Sequence, residues 1–212
     1  MLATQVLASG ITHLTDARYF AAWEVDYLAF PLGQNGITWD YLNALREWVE
    51  GPAIVAELPR DADEATWSAA LREQGITLVL LPYPAPAAAP LRAAGIELLL
   101  RLDVAGYHSA EDVADLLGEM PAAKTVILNF EAGGITWADL TAGHPFGLTD
   151  LEQLLQKRPC LLRIDLGGQD PKAIKAAYSL TGFAVRGSSE EKVGYKSFDD
   201  LDDLFEGLEV FD

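Results

Sequence analysis

Eight short, almost uninterrupted apolar runs, each followed by an amphipathic stretch, constrain this chain more than any other feature. The runs lie at 5–8, 27–30, 53–56, 77–81, 97–100, 125–128, 160–164 and 182–185. Strands that are apolar at successive positions must be covered on both faces, which is the situation of parallel strands flanked by helices. The intervening segments open near Thr15, Thr38, Asp63, Pro86, Ser109, Thr149, Asp170 and Ser197, and several of these residues are good helix caps. Right-handed crossovers then join each strand to the next. Eight strand–helix pairs in 212 residues close most naturally into a (β/α)8 TIM barrel, with an open doubly wound sheet as the alternative. No stretch reads as a linker, so residues 1–212 are expected to form a single domain.

Charge and composition narrow the partners. Thirty-two acidic against 15 basic residues give a formal charge of −17, with no basic run to neutralise a nucleic-acid backbone. Such a chain has no general field to draw in an anion, so an anionic ligand has to be held locally. One cysteine and three scattered histidines provide neither a disulfide framework nor a zinc cluster, and no metal or cofactor is expected. The N-terminus carries no secretory signal and no apolar stretch is long enough to cross a bilayer, so a cytoplasmic protein, monomer or homodimer, is expected.

A barrel carries its chemistry at the C-terminal ends of its strands. Runs seven and eight end in Gly167-Gly168 and in Arg186-Gly187-Ser188, turns whose free N–H groups suit a phosphate, although Gly turns are also ordinary loop chemistry. Gly167, Gly168, Arg186, Gly187 and Ser188 are therefore the candidate phosphate-binding residues, with a phosphorylated small molecule as the partner. Arg186 has two readings: a bidentate clamp on the phosphate, or a substitute for it, bonded to Asp165 or Glu190. By simple alternation Ser9 and Asn129 point into the mouth, and Glu57, Arg101, Asp103 and Asp165 lie at or near strand ends. Glu57 and Asp103 are either a working acid and base or the partners of Arg101 or Arg163. The tryptophans at 23, 39, 48 and 67 read as helix-to-barrel packing, Trp137 as packing or part of a roof over the site, and Cys160 as a small buried apolar residue.

Leu7-Ala8-Ser9-Gly10-Ile11-Thr12 near one end, and Gly167-Gly168-Gln169-Asp170-Pro171 with the stretch from Ala184 to Glu190 near the other, carry an end-to-end resemblance, concentrated at the two ends, to the phosphoribosylanthranilate isomerase family of tryptophan biosynthesis. The family opens with K-I-C-G-I-T and then a D-A pair; this chain reads Leu7-Ala8-Ser9-Gly10-Ile11-Thr12, then Asp16-Ala17. The family's G-G turn followed by N-P-E-N-V is matched by Gly167-Gly168-Gln169-Asp170-Pro171-Lys172-Ala173-Ile174. Its D-V-S-S-G-V-E and P-G-x-K-D are echoed from Ala184 to Glu190 and by Val193-Gly194-Tyr195-Lys196. The Gly-rich loop after strand six is echoed, in shortened form, by Gly133-Gly134 before Trp137. The resemblance implies a TIM barrel and an Amadori aldose–ketose isomerisation, run by a Cys base and an Asp acid.

The departures fall on those two roles. Ser9 stands at the Cys position and Asn129 at the Asp position, making them the candidate catalytic residues. An alcohol has no accepting state comparable to a thiolate, and an amide has no proton to give. Leu80-Leu81-Pro82-Tyr83 replaces the family's Q-L-H-G, and Gly33-Gln34-Asn35-Gly36 replaces its S-x-R. On strand eight Ala184 stands for an Asp and Arg186 for a Ser. The resemblance thus implies an isomerase whose activity is impaired or lost, or else a non-catalytic or repurposed barrel that binds a phosphorylated small molecule.

Overall fold

A computed structural model describes residues 1–187 and 198–210. Its eight strands are β1 (Gln5–Ser9), β2 (Tyr27–Pro31), β3 (Ala53–Glu57), β4 (Leu78–Pro82), β5 (Glu97–Asp103), β6 (Thr125–Asn129), β7 (Cys160–Arg163) and β8 (Gly182–Arg186). All neighbours pair in parallel and β8 returns to β1, so the sheet is a closed barrel in chain order and not an open one. The protein is a (β/α)8 TIM barrel. The helices are α1 (Leu14–Ala22), α2 (Trp39–Arg46), α3 (Glu64–Glu73), α4 (Ala88–Ala93), α5 (Ala110–Glu119), α6 (Trp137–Thr141), α7 (Leu148–Leu155), α8 (Pro171–Ala177) and α9 (Asp199–Leu208).

Local chemistry sets the helix starts. Thr38, Asp63, Ser109 and Asp170 each accept a backbone N–H of the first turn. Ser109 and Asp112 complete a reciprocal capping box on α5. The short α6, opened by a second such box at Thr136 and Asp139, was not expected from the periodicity; five residues are too few to show one. The expected start at Ser197 lies outside the described residues.

Alternation divides the core in two. Leu7, Ala29, Val55, Leu80, Leu99, Ile127, Leu161 and Ala184 point inward and fill the barrel, while their neighbours pack beneath the helices. The seam depends on Gly182, since a Cβ there would collide with the Gln5 carbonyl oxygen. Trp23, Trp39, Trp67 and Trp137 pack against the core as expected. Trp48 does not: it lies just beyond α2 and is 66% exposed. Among the described residues no helix is long and apolar enough to cross a membrane.

Candidate functional site at the barrel mouth

Continuing six of the eight inward rows by two residues brings apolar side chains to an end and polar ones to the C-terminal rim, the rows of Ala29 and Leu80 ending instead in Pro31 and Pro82. Leu7 is followed by Ser9, Val55 by Glu57, Leu99 by Arg101 and Asp103, Ile127 by Asn129, Leu161 by Arg163 and Ala184 by Arg186. All of these side chains except that of Arg186 take part in one bonded layer across the mouth.

On one side, Arg101 donates from Nη1 to Glu57 Oε1 at 2.8 Å and from Nε to Asp103 Oδ1 at 3.1 Å. Glu57 also accepts the Gly10 N–H at 3.0 Å, and Asp103 accepts the Asn129 amide at 2.6 Å. On the other side, Arg163 donates from Nε to Glu131 Oε2 at 2.7 Å and from Nη1 to Ser9 Oγ at 3.3 Å. The Ser9 hydroxyl in turn donates to the Val185 carbonyl at 3.2 Å. Glu57 and Asp103 thus have the ion-pair arrangement that the sequence left as one of two readings. Arg163 as the partner of Ser9 and Glu131 escaped the sequence analysis; its only signal was a charge at an inward position of an apolar strand.

The two candidate catalytic residues are both buried. Ser9 lies between a guanidinium and a backbone carbonyl, with no described carboxylate or imidazole bonded to its hydroxyl. Asn129 spends its amide N–H on Asp103, while its Oδ1 is sealed from solvent and has no hydrogen-bond partner. Neither arrangement supplies a proton acceptor and a proton donor facing each other across the mouth.

At the β7 and β8 ends, Gly167 and Gly168 both adopt left-handed backbone, with φ of 58° and 78°. The Gly167 N–H donates to the Asp165 carboxylate at 2.8 Å, and the Gly187 N–H donates to the Ser9 carbonyl at 2.9 Å. Among the described residues the Gly168 N–H has no acceptor. Gly187 itself sits against the buried Asp16 carboxylate and the Gly10 carbonyl, where an added Cβ would stand in tight contact at 3.1 and 3.2 Å. Arg186 is exposed and makes no hydrogen bond or ion pair within the described residues. Its side chain lies across Gly10, where an added Cβ would stand 3.3 Å from Nε. Ser188 lies outside the described residues, as does Glu190.

Two clefts flank the plugged centre. The larger, of about 970 Å³, runs from the β7 end to α9 past Glu131, Asp165, Asp170, Asp203 and Glu206. Its walls are acidic, so Arg186 and the Gly168 N–H are the features at this end that favour an anion. The smaller, of about 600 Å³, lies between the loops after β2 and β3 and reaches Glu57 and Arg101, with Trp67 as one wall. Trp137 does not roof the mouth: it is buried at the start of α6, donates its N–H to the Asp165 carbonyl and meets Tyr178 edge to face. Cys160, at the opposite end of the barrel, is wholly buried, and burial pushes its thiol up to about 12.

The arrangement is a TIM-barrel mouth with an internally bonded polar layer. No protein-family model and no curated protein matches the sequence. Solved structures do. Phosphoribosylanthranilate isomerase from Thermus thermophilus superposes with a TM-score of 0.69 at 19% identity, over 96% of this chain and 98% of that one. A second isomerase of that name, in complex with reduced 1-(o-carboxyphenylamino)-1-deoxyribulose 5-phosphate, gives 0.67 at 14%, covering 97% and 98%. A 3-hexulose-6-phosphate synthase gives 0.59 at 15%, covering 97% and 100%. At these identities the likeness establishes the fold, and the isomerases among these neighbours bear the family name that the terminal motifs resemble.

Proposed function

We propose that this protein is a barrel of the phosphoribosylanthranilate isomerase type that no longer performs the isomerisation and retains a site for a phosphorylated small molecule at the β7 and β8 ends. The observation that carries the first half is the engagement of Ser9 with Arg163 and of Asn129 with Asp103 at the two positions where the family has its base and acid. General acid and base catalysis each contribute roughly 10²- to 10⁴-fold, so a chain without both falls far short of an isomerase's rate. The second half is supported by Arg186 and the Gly168 N–H, neither of which has a partner among the described residues, and by the phosphorylated ligand named for one isomerase neighbour. Glu57 and Asp103 are structural in this reading, since both are tied to Arg101.

Two measurements test it. The gene should not rescue a tryptophan auxotroph lacking the isomerase, and purified protein should not turn over phosphoribosylanthranilate; turnover at an ordinary enzymatic rate overturns the first half. In thermal-shift titrations, ribose 5-phosphate and inorganic phosphate should raise the melting temperature of the wild type and not that of Arg186→Ala. An equal rise in both proteins, or none in either, overturns the second half.

A further inference from the structure

Arg163 stands out in the mouth because it is far more buried than its partner. Its side chain is 8% exposed, whereas that of Glu131 is 44% exposed. Glu131 does not belong to the barrel wall: it opens the 3₁₀ turn Glu131–Gly133 that follows β6, and it also lines the larger cleft beside Leu162 and Ala184. A half-exposed carboxylate thus leans from a loop onto a buried guanidinium, as a bound carboxylate would. Arg163 is not saturated by it, because Nη2 makes no hydrogen bond among the described residues.

An independent observation lies on the next strand. Asn129, the register partner of Arg163, holds a buried Oδ1 that accepts nothing. Buried acceptors nearly always find a donor, and leaving one without costs about 1–3 kcal/mol. A donor is therefore missing beside the guanidinium. The charge of the mouth indicates which kind: three carboxylates, Glu57, Asp103 and Glu131, face two guanidinium groups, Arg101 and Arg163, in the bonded layer. A group that carries a positive donor next to its carboxylate, and whose carboxylate takes the place of Glu131 on Arg163, supplies the donor and leaves three carboxylates facing three positive groups.

We propose that Arg163 and Asn129 form a binding site for the α-ammonium carboxylate group of a free amino acid, and that Glu131 occupies the carboxylate position when no ligand is bound. The ligand carboxylate replaces that of Glu131 on Arg163, and the ammonium donates to Asn129 Oδ1. Glu131 lines the larger cleft and bonds Arg163, so its withdrawal toward solvent opens Arg163 to that cleft, with Asn129 beside it in the strand register. The ligand side chain then extends into the 970 Å³ cleft. No bond is made or broken, and the site does not depend on the phosphate reading.

The test is an NMR titration of the intact protein with glycine, glycolate and acetate. Removing the tethered competitor by Glu131→Gln, at a half-exposed loop position that leaves the core untouched, is expected to tighten glycine binding by about tenfold, the equivalent of about 1.4 kcal/mol. Glycine is expected to bind more tightly than glycolate, and glycolate more tightly than acetate, in both wild type and Glu131→Gln. Arg163→Gln is expected to abolish binding of all three, and Arg186→Ala to change none of them, which separates this site from the phosphate site. The proposal is overturned if Glu131→Gln binds glycine no better than the wild type, or if acetate binds as well as glycine. Should Arg163→Gln fail to fold, the Glu131→Gln comparison decides the matter alone.

Discussion

Replacing Arg101 by Met tests whether the polar layer of the mouth is held by its charges. The guanidinium touches two carboxylates, and unit charges about 4 Å apart attract by about 4 kcal/mol at an effective dielectric constant of about 20. That gross figure overstates the loss. The side chains of Arg101, Glu57 and Asp103 are 22%, 16% and 36% exposed, so water screens part of the attraction. Each carboxylate also retains a second donor, the Gly10 N–H for Glu57 and the Asn129 amide for Asp103. A penalty of about 1–2 kcal/mol per abandoned carboxylate is then reasonable, or about 2–4 kcal/mol in all. For a chain of this size that lowers the melting temperature by roughly 5–15 °C. The triple variant Arg101→Met, Glu57→Gln, Asp103→Asn removes the uncompensated charges while its amide oxygens still accept the two remaining N–H groups. Urea denaturation at pH 7 should show the triple variant recovering most of the loss. A single variant within about 0.5 kcal/mol of wild type, or a triple variant less stable than the single one, would refute the reasoning.

Three further outcomes follow from the same structure. Gly182→Ala forces a methyl group into the Gln5 carbonyl across the β1–β8 seam and should cost at least about 3 kcal/mol, read as a collapse of the melting transition; an unchanged melting temperature would mean that the barrel does not close there. The Ser109 hydroxyl, and secondarily its N–H, hold the Asp112 carboxyl below the ordinary carboxylate range. Ser109→Ala should therefore lower stability at pH 7, and the difference from wild type should shrink as pH falls through the folded value of Asp112. A carboxyl that is easier to ionise when folded contributes stability only while it is ionised, and a gap that widens on acidification would contradict the box. For Cys160 the sign is reversed. Its folded thiol keeps a proton that the unfolded thiol releases near its ordinary value of 9.0. Stability should thus fall above that pH by up to about 1.4 kcal/mol per unit relative to Cys160→Ala; a constant difference between the two proteins up to pH 11 would show that the thiol is not sealed.

The contrast between what could and could not be read from the chain has a physical cause. A strand of a barrel announces itself locally, because both of its faces are buried and the run 98–100 or 126–128 has no polar member to mislead. Helix starts are equally local: Thr38, Asp63, Ser109 and Asp170 act on N–H groups two or three residues away. Even the inward position of Ser9 and Asn129 follows from counting by twos. Bonding in the mouth obeys no such rule. Arg163 reaches Ser9 from 154 positions along the chain and Glu131 from 32, and whether it meets a hydroxyl, a carboxylate or a ligand depends on the closure of β8 onto β1. Alternation said that a charge would stand at the end of β7, but its partners are fixed only by the stagger of the strands. The N–H groups at 167 and 187 show the same limit from the other side. Their Gly content marks a turn capable of holding an anion, yet the Asp165 carboxylate takes one and the Ser9 carbonyl the other. A mouth can therefore keep an anion-binding sequence at its rim while its hydrogen bonds are committed internally. Which of those internal partners gives way to a ligand is the chemical question that the Glu131–Arg163 pair poses.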